Sequence, residues 1–237
     1  MIKETYSLPM VALRGLVILP EEVRHFDVSR EKSLKAIEEA MLGDQKIFLS
    51  MQKEIDTEDP GLEEIQQIGC IATIRQVVKL PKKISRVLIS GEARARINTM
   101  EFEDPYLRAH VTVIPDTDTS AEDTGAMEHP MNLEAMIRGL KDVFREYMLK
   151  NPKLSKELAL RIDSISEMNA LVDIIAANMP FSCEDAQELL EESDVMRRYE
   201  LLIYKIVNEI QILNVKEEIQ AKVKARVDKN QREYILR

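Results

Sequence analysis

The residues that could carry acid–base, metal or nucleophilic chemistry are few, and none stands at a useful spacing. The three histidines, His25, His110 and His129, have no partner at metal-ligand spacing, and the sequence contains no H-E-x-x-H. It also contains no G-x-x-x-x-G-K-[ST] phosphate loop and no G-x-S-x-G nucleophile elbow. The sequence therefore predicts no catalytic residue and no metal site.

The remaining reactive groups favour structural roles. Adjacent carboxylates such as Glu38-Glu39 and Glu191-Glu192 lie on predicted helices, where neighbours in sequence point different ways, so we interpret them as solvated. The only two cysteines, Cys70 and Cys183, form no C-x-x-C pattern, which indicates small buried thiols in a reducing compartment. No apolar run reaches membrane-spanning length, and the N-terminus lacks a signal-peptide pattern. These features predict a cytoplasmic protein.

One candidate binding surface is a loop that is apolar where loops are usually polar. It consists of Leu16, Val17, Ile18 and Leu19. Such a segment is more often part of the core, but an exposed one would form an apolar patch that could bind substrate proteins. We therefore name these four residues as the candidate substrate-binding residues and leave the core alternative open.

A second candidate is a narrow apolar seam on a charged helix near the C-terminus. Its members recur every four residues: Val215, Ile219, Val223 and Val227. The seam has too little apolar surface for a core but enough to meet another helix, as in a coiled coil. The alternative is a solvated helix stabilised by its own charge pairs. We predict that this seam serves assembly or binds a partner helix.

Composition limits the class of protein. The 237 residues suffice for one large domain or two modest ones, and 45% hydrophobic with 32% charged residues is typical of soluble globular proteins. The net charge of −9 argues against a nucleic-acid binder as a whole.

The pattern of elements changes once along the chain. From Thr5 to about Ile114, short alternating runs predict strands and one helix, capped by Ser29, in a closed or nearly closed sheet. From Met131 onward the apolar spacing is helical. The last helix is predicted to begin at the N-cap Ser193 and to extend roughly 65 Å to Arg237, so part of it must leave the body. Its abrupt end indicates a cut within a longer protein.

The sequence thus predicts an α+β fold. A small β-domain (1–114) is followed by a flexible acidic linker (115–130), a helical bundle (131–192) and a long projecting helix (193–237).

Several segments, in order along nearly the whole chain, resemble the N-terminal region of bacterial Lon proteases. They are Leu8-Pro9-Met10-Val11-Ala12-Leu13-Arg14 through Leu19-Pro20, Ser29 to Ser33, Ile68 to Ala72, Lys79-Leu80-Pro81, Gly91-x-x-Arg94-Ala95-Arg96-Ile97, Ile174 to Pro180, Ser193-Asp194-Val195 and Gln231-Arg232-Glu233-Tyr234. The match departs from the family at Ser90, where an acid is usual, and in the linker, which matches nothing.

The resemblance implies a function that residue spacing does not. Lon is a cytoplasmic ATP-dependent serine protease of quality control, a hexamer that removes misfolded and certain regulatory proteins. In that family a PUA-like β-domain and a helical domain with a long arm precede an AAA+ ATPase and a Ser–Lys protease domain. The resemblance covers the first two parts only. It implies substrate recognition and assembly without cleavage, with ATP and Mg acting elsewhere in the parent protein and no cofactor here.

Two other hypotheses remain open. A PUA-like RNA-binding module would use a basic sheet face made of Arg75, Lys82, Lys83, Arg86, Arg94 and Arg96, although the net charge and the lack of interleaved aromatics weigh against it. A stand-alone helical adaptor would use the arm to find a partner coiled coil.

Overall fold

The structure, a computed structural model, describes residues 4–117, 130–151 and 154–235. Six strands and one helix come first: β1 (Thr5–Leu13), β2 (Val23–Val28), α1 (Glu31–Leu42), β3 (Lys46–Met51), β4 (Ile68–Leu80), β5 (Ile84–Phe102) and β6 (Leu107–Val113). Five helices follow: α2 (Pro130–Lys150), α3 (Lys156–Ser164), α4 (Met168–Ala177), α5 (Cys183–Glu191) and α6 (Val195–Ile235). The predicted α+β class is confirmed.

The strands pair in a ring. Their order is β2-β5-β4-β3-β1-β6, and β6 pairs again with β5, so five strands close on themselves while β2 extends the sheet from β5. The β1–β3 pair is parallel and the other pairs are antiparallel. This closure agrees with the predicted sheet, whereas the likeness to PUA-like pseudo-barrels stays a prediction.

Side chains alternate between two apolar cores, one on each side of the ring. All five ring strands contribute to the first core: Leu8, Met10, Ala12, Phe48, Ile71, Ala95, Ile97, Leu107, Ala109 and Val111. The second contains the alternate residues of β1, β3 and β4, together with β2 and the apolar face of α1 (Ala36, Ile37 and Ala40). Because β1, β3 and the first half of β4 are buried on both faces, their sequences are apolar runs with little alternation.

β5 is a single strand of 19 residues that contains Gly91. Its first half pairs with β2 and its second half with β6. Gly91 lies against the backbone of the Leu16–Leu19 loop: a Cβ placed on it would be 2.1 Å from the Leu19 carbonyl oxygen. The glycine allows this close approach without ending the strand.

The described chain forms two compact units. Unit 1 comprises residues 1–128 and 167–199, which include the sheet, α1, α4, α5 and the first turn of α6; unit 2 comprises 129–166 and 200–237. The sequence grouped α4 and α5 with the helical bundle. The two units therefore do not coincide with the four predicted segments, whose limits stay a prediction. Most of the predicted linker, 118–129, lies outside the described residues.

Unit 2 contains α2, α3 and most of α6. Its buried apolar residues recur at helical spacing: Leu140, Phe144 and Tyr147 on α2, Ile162 on α3, and Leu202, Ile206 and Ile210 on α6. Lys141 donates from Nζ to the carbonyls of Asp163 and Ile165, at 2.9 and 2.6 Å, and so holds the C-terminal end of α3 to α2. None of the described helices is long and apolar enough to cross a membrane.

Two predicted helix caps are wrong. α6 is capped by Asp194, whose Oδ1 accepts from the backbone N–H groups of Met196 and Arg197 at 2.9 and 3.0 Å, and not by Ser193. A carboxylate is both an acceptor and a favourable charge at that end of a helix, so it replaces the hydroxyl. The N-cap position of α1 is Arg30, with no side-chain cap, and not Ser29.

Candidate functional site

Four charged side chains from distant parts of the sequence meet inside unit 1. Arg94 of β5 donates to both carboxylate oxygens of Asp173 on α4, at 2.9 and 2.5 Å. Arg198, in the first turn of α6, donates to Asp116 at 2.9 Å and has its Nε 3.2 Å from Asp173. The side chains of Arg94, Asp173 and Arg198 are 4%, 8% and 0% exposed. We call these four residues the buried ionic network.

The network is balanced in charge, with two guanidinium groups and two carboxylates. Burial disfavours the charged form of Arg94, but the hydrogen bonds and charge of Asp173, with the charge of Asp116, outweigh that effect and raise the pKa of Arg94. The Arg198 guanidinium also donates to the carbonyl of Glu192 at 2.8 Å. The charges are therefore both paired and hydrogen-bonded, as charges in an apolar interior must be.

This arrangement contradicts one part of the basic face predicted for RNA binding. Arg94 points into the buried network and is not available at a surface. Arg86 is exposed but forms a two-bond ion pair with Asp27, at 2.7 and 2.8 Å. Two of the six predicted basic residues are thus already neutralised within unit 1.

Further contacts attach the helices of unit 1 to the sheet. Gln187 of α5 donates from Nε2 to the Ile68 carbonyl of β4 at 3.1 Å. Thr117 forms a parallel bridge with Asp194: its N–H donates to Ser193, and its carbonyl accepts from Val195, each at 2.9 Å. Residues 116 and 117, which the sequence placed in a flexible linker, are therefore held against the start of α6.

The loop predicted to bind substrate is placed in the core. Val17, Ile18 and Leu19 are buried, and Leu16 is half-buried against the second core. The loop is apolar because its side chains fill the space beside α1 and β5. It therefore forms no exposed apolar patch. The assignment of these residues to substrate contact stays a prediction, and burial of three of them does not favour it.

The predicted helix seam lies on the surface of α6. Val215, Ile219, Val223 and Val227 are each about half exposed. The charged residues around them form local pairs, such as Lys222 with Glu218 at 2.5 Å. The exposure leaves the seam accessible to a partner helix, and that role stays a prediction.

The two cysteines differ in burial. Cys70 is buried, and burial raises the pKa of its thiol to about 12, so it is not a nucleophile. Cys183 is only half-buried, whereas the sequence predicted two buried thiols. No cluster of His, Cys, Asp and Glu able to hold a metal ion occurs among the residues that the structure describes.

The buried ionic network is the feature that sequence reasoning missed. The alternation of apolar and basic residues in Ala93-Arg94-Ala95 predicts an exposed side chain for Arg94. Its partner Asp173 is the only charged residue in the apolar run Leu171 to Ala177. That isolated charge on a buried helix face was the available signal for a buried ion pair.

Comparison with known proteins identifies the family. The model of the ATP-dependent protease La (LON) substrate-binding domain matches residues 7–208. Lon protease of Lachnoclostridium phytofermentans is 39% identical over 233 residues, which are 98% of this chain and 28% of that protein. Lon protease 1 of Bacillus subtilis is 35% identical over 231 residues, 98% of this chain and 29% of that protein. The chain thus spans less than a third of the length of these relatives.

Solved structures agree in fold. The N-terminal domain of Mycobacterium avium complex Lon protease has a TM-score of 0.64 and 20% identity, covering 85% of this chain and 98% of that one. The Lon N-terminal domain protein from Xanthomonas campestris has a TM-score of 0.54 and 18% identity, covering 84% and 98%. The family match over most of the chain, the relatives and the shared fold lead to one conclusion: the chain belongs to the Lon substrate-binding domain family and corresponds to the N-terminal region of a Lon protease.

Proposed function

We propose that this region recognises substrates and assists oligomer assembly in an ATP-dependent Lon-type protease, and that it binds client proteins without cleaving them. The family supports the recognition role, and the share of the relatives that the chain spans supports a division of labour with further domains. Under this proposal ATP and Mg act in those domains, the parent protein is a cytoplasmic homohexameric serine endopeptidase, and its clients are misfolded and regulatory proteins.

The observation that carries the proposal is the buried ionic network. It ties the sheet, through Arg94, to the first turn of α6, through Arg198. α6 then continues as one helix of 41 residues, about 60 Å at about 1.5 Å per residue. Within unit 1, which would bind the client, the sheet is therefore held to the first turn of this helix by buried ion pairs.

Client capture is tested directly with the immobilised chain. A test protein is passed over the immobilised chain in two forms, native and reduced-and-unfolded. The fraction of each form that is retained is measured. We expect retention of the unfolded form only. Equal retention of both forms, or of neither, would refute the recognition role. The exposed surface of unit 1 carries isolated apolar side chains, such as Val23 and Leu42, that would contribute to this capture.

The assembly role is tested at the seam. Ile219→Asp places a charge in the middle of the seam, and Gln220→Asp makes a comparable change at the adjacent exposed position. We expect Ile219→Asp to lower self-association in sedimentation velocity, because a buried carboxylate is disfavoured between apolar helices. The helical circular dichroism signal of both variants should match that of the parent chain. If the two variants sediment alike, the seam has no part in assembly.

A further inference from the structure

A pair of adjoining clefts opens where β1 ends, beside the N-terminus of α1 and the loop of residues 54–60. Their volumes are about 270 and 400 Å³. Ala12, Arg14, Arg30 and Ser33 line both. The first cleft also has apolar walls, which include Leu16, Phe26 and Val28. We call the pair the Arg14–Arg30 cleft.

The two arginines of this cleft are held by uncharged acceptors. Arg14 donates to the Thr57 carbonyl at 3.2 Å, and Arg30 donates to the Ala12 carbonyl, the Gln52 amide oxygen and the Glu58 carbonyl at 2.8, 2.8 and 3.2 Å. Neither guanidinium has a carboxylate within 4.0 Å among the residues that the structure describes. Each therefore keeps its positive charge and has N–H donors to spare.

The carboxylates that line the cleft are largely engaged with other cations. Asp27 pairs with Arg86, Asp59 with Lys32 and Glu31 with Lys35, each at 2.7 Å. Glu58 stands exposed at the rim. Two unpaired guanidinium groups against one rim carboxylate leave the interior of the cleft with a net positive field.

Burial and the neighbouring charge of Arg14 lower the pKa of Arg30, against the opposing charge of Asp59. Burial is the larger of the two causes, and repulsion between the two guanidinium groups adds to it. An anion placed between them would relieve that repulsion.

The N-terminus of α1 adds neutral donors to the same place. The first intrahelical bond runs from Leu34 to Arg30, and no side chain caps the N–H groups of the first turn. Ser33 is 8% exposed and lines both clefts. The Ser33 hydroxyl therefore adds one more hydrogen-bonding group to the lining of both clefts.

We propose that the Arg14–Arg30 cleft binds a carboxylate group of a client peptide, an inference that rests on the proposed function. The guanidinium groups of Arg14 and Arg30, the Ser33 hydroxyl and the first-turn N–H groups of α1 hold the carboxylate. The apolar wall at Phe26 and Leu16 receives a neighbouring apolar side chain. The planar fork of arginine matches the two oxygens of a carboxylate, and the apolar wall distinguishes a peptide from a free inorganic anion.

The test uses three short fluorescein-labelled Gly-Ser peptides that end in Leu-Leu. One has a free C-terminal carboxylate, one has a C-terminal amide, and the third has the amide and an Asp before Leu-Leu. Their binding to the full chain is measured by fluorescence anisotropy. We expect the free acid, the Asp peptide or both to bind roughly ten-fold tighter than the plain amide, and their comparison identifies the source of the carboxylate.

Variants locate the effect. Arg14 is exposed, so Arg14→Gln should fold, and it should remove the preference for the carboxylate peptides. Arg75→Gln is the matched control, because it makes the same charge change at an exposed arginine of β4 that does not line the cleft. It should leave the preference intact. Ser33→Ala should weaken the preference without altering the circular dichroism spectrum.

Three results would overturn the inference. They are equal binding of all three peptides, a preference that survives Arg14→Gln, and displacement by inorganic phosphate at concentrations where acetate has no effect, which would indicate a phosphate site. If no peptide binds while the unfolded client is still captured, the cleft is wrong and the proposed function stands. If neither binds, both fail.

Discussion

Asp173→Asn is the most direct test of the buried ionic network. The substitution keeps the size of the side chain but removes one of two carboxylates that face two buried guanidinium groups, Arg94 and Arg198. Removing one partner of a buried ion pair costs roughly 3–5 kcal/mol, because the other charge stays buried without compensation. A domain of this kind is stable by only about 5–15 kcal/mol. We therefore expect unit 1 to lose a large share of its stability.

The measurement is hydrogen exchange by mass spectrometry, which follows β4 and β5 separately from the helices of unit 2. Asp27→Asn is the matched control, because it removes the same kind of two-bond Arg–Asp pair from the same sheet. There Asp27 and Arg86 are 45% and 51% exposed, so solvent screens the pair and the change should be small. Similar acceleration of exchange in both variants would refute the reasoning.

A second pair of variants separates charge from packing. Replacing Arg94 and Asp173 together, by Met and Leu, removes one cation and one anion and leaves Arg198 with Asp116. Buried ion pairs replaced by apolar residues of similar size are often neutral in stability. We expect the double variant to be more stable than Asp173→Asn alone. If it is less stable, the hydrogen-bond geometry of the network and not its charge balance holds unit 1 together.

Three further outcomes are expected from urea unfolding of single variants. Gly91→Ala should destabilise by at least about 2 kcal/mol, because its Cβ would strike the Leu19 carbonyl oxygen, whereas Gly61→Ala, which has open space around it, should change little. Burial raises the pKa of Glu22 above its ordinary 4.5, so the folded state binds more protons and stability falls as the pH rises from about 4.5 through the folded pKa. Glu22→Gln should remove that fall; a parallel pH profile for both proteins would contradict the assignment. Asp194→Ala should cost about 1 kcal/mol through loss of the α6 cap, and an unchanged midpoint would show that the cap is dispensable.

Sequence patterns predicted the local elements because those depend on neighbours along the chain. The short strands before residue 114 and the helical spacing after it agree with the structure. The composition of the apolar Leu16–Leu19 loop did not determine whether the loop is buried. Whether it is core or surface depends on the close approach of Gly91, about 70 residues away.

Local sequence patterns could not predict the buried ionic network either, because its members are distant in sequence. Arg94 and Asp173 are 79 positions apart, and Asp116 and Arg198 are 82 positions apart. A strand sequence that alternates apolar and basic residues does not reveal what its basic face contacts. That face can be exposed to solvent, or it can pack against a helix that carries a single carboxylate. The Arg14–Arg30 cleft likewise depends on the absence of a cap at Ser29, a position where the residue type predicted one.

Unit 1 is assembled from two stretches of sequence, and this has a consequence for synthesis on the ribosome. The ring of strands is complete once β6 has emerged, but Asp173 and Arg198 are translated later, after α2 and α3. Until then Arg94 has only Asp116, 3.7 Å away in the finished fold, as a partner of opposite charge in the network. In a nascent chain paused between β6 and α4, Arg94 would thus lack both Asp173 and the cover of α4. Arrival of Asp173 on α4 would supply the carboxylate that pairs with Arg94 in the folded interior.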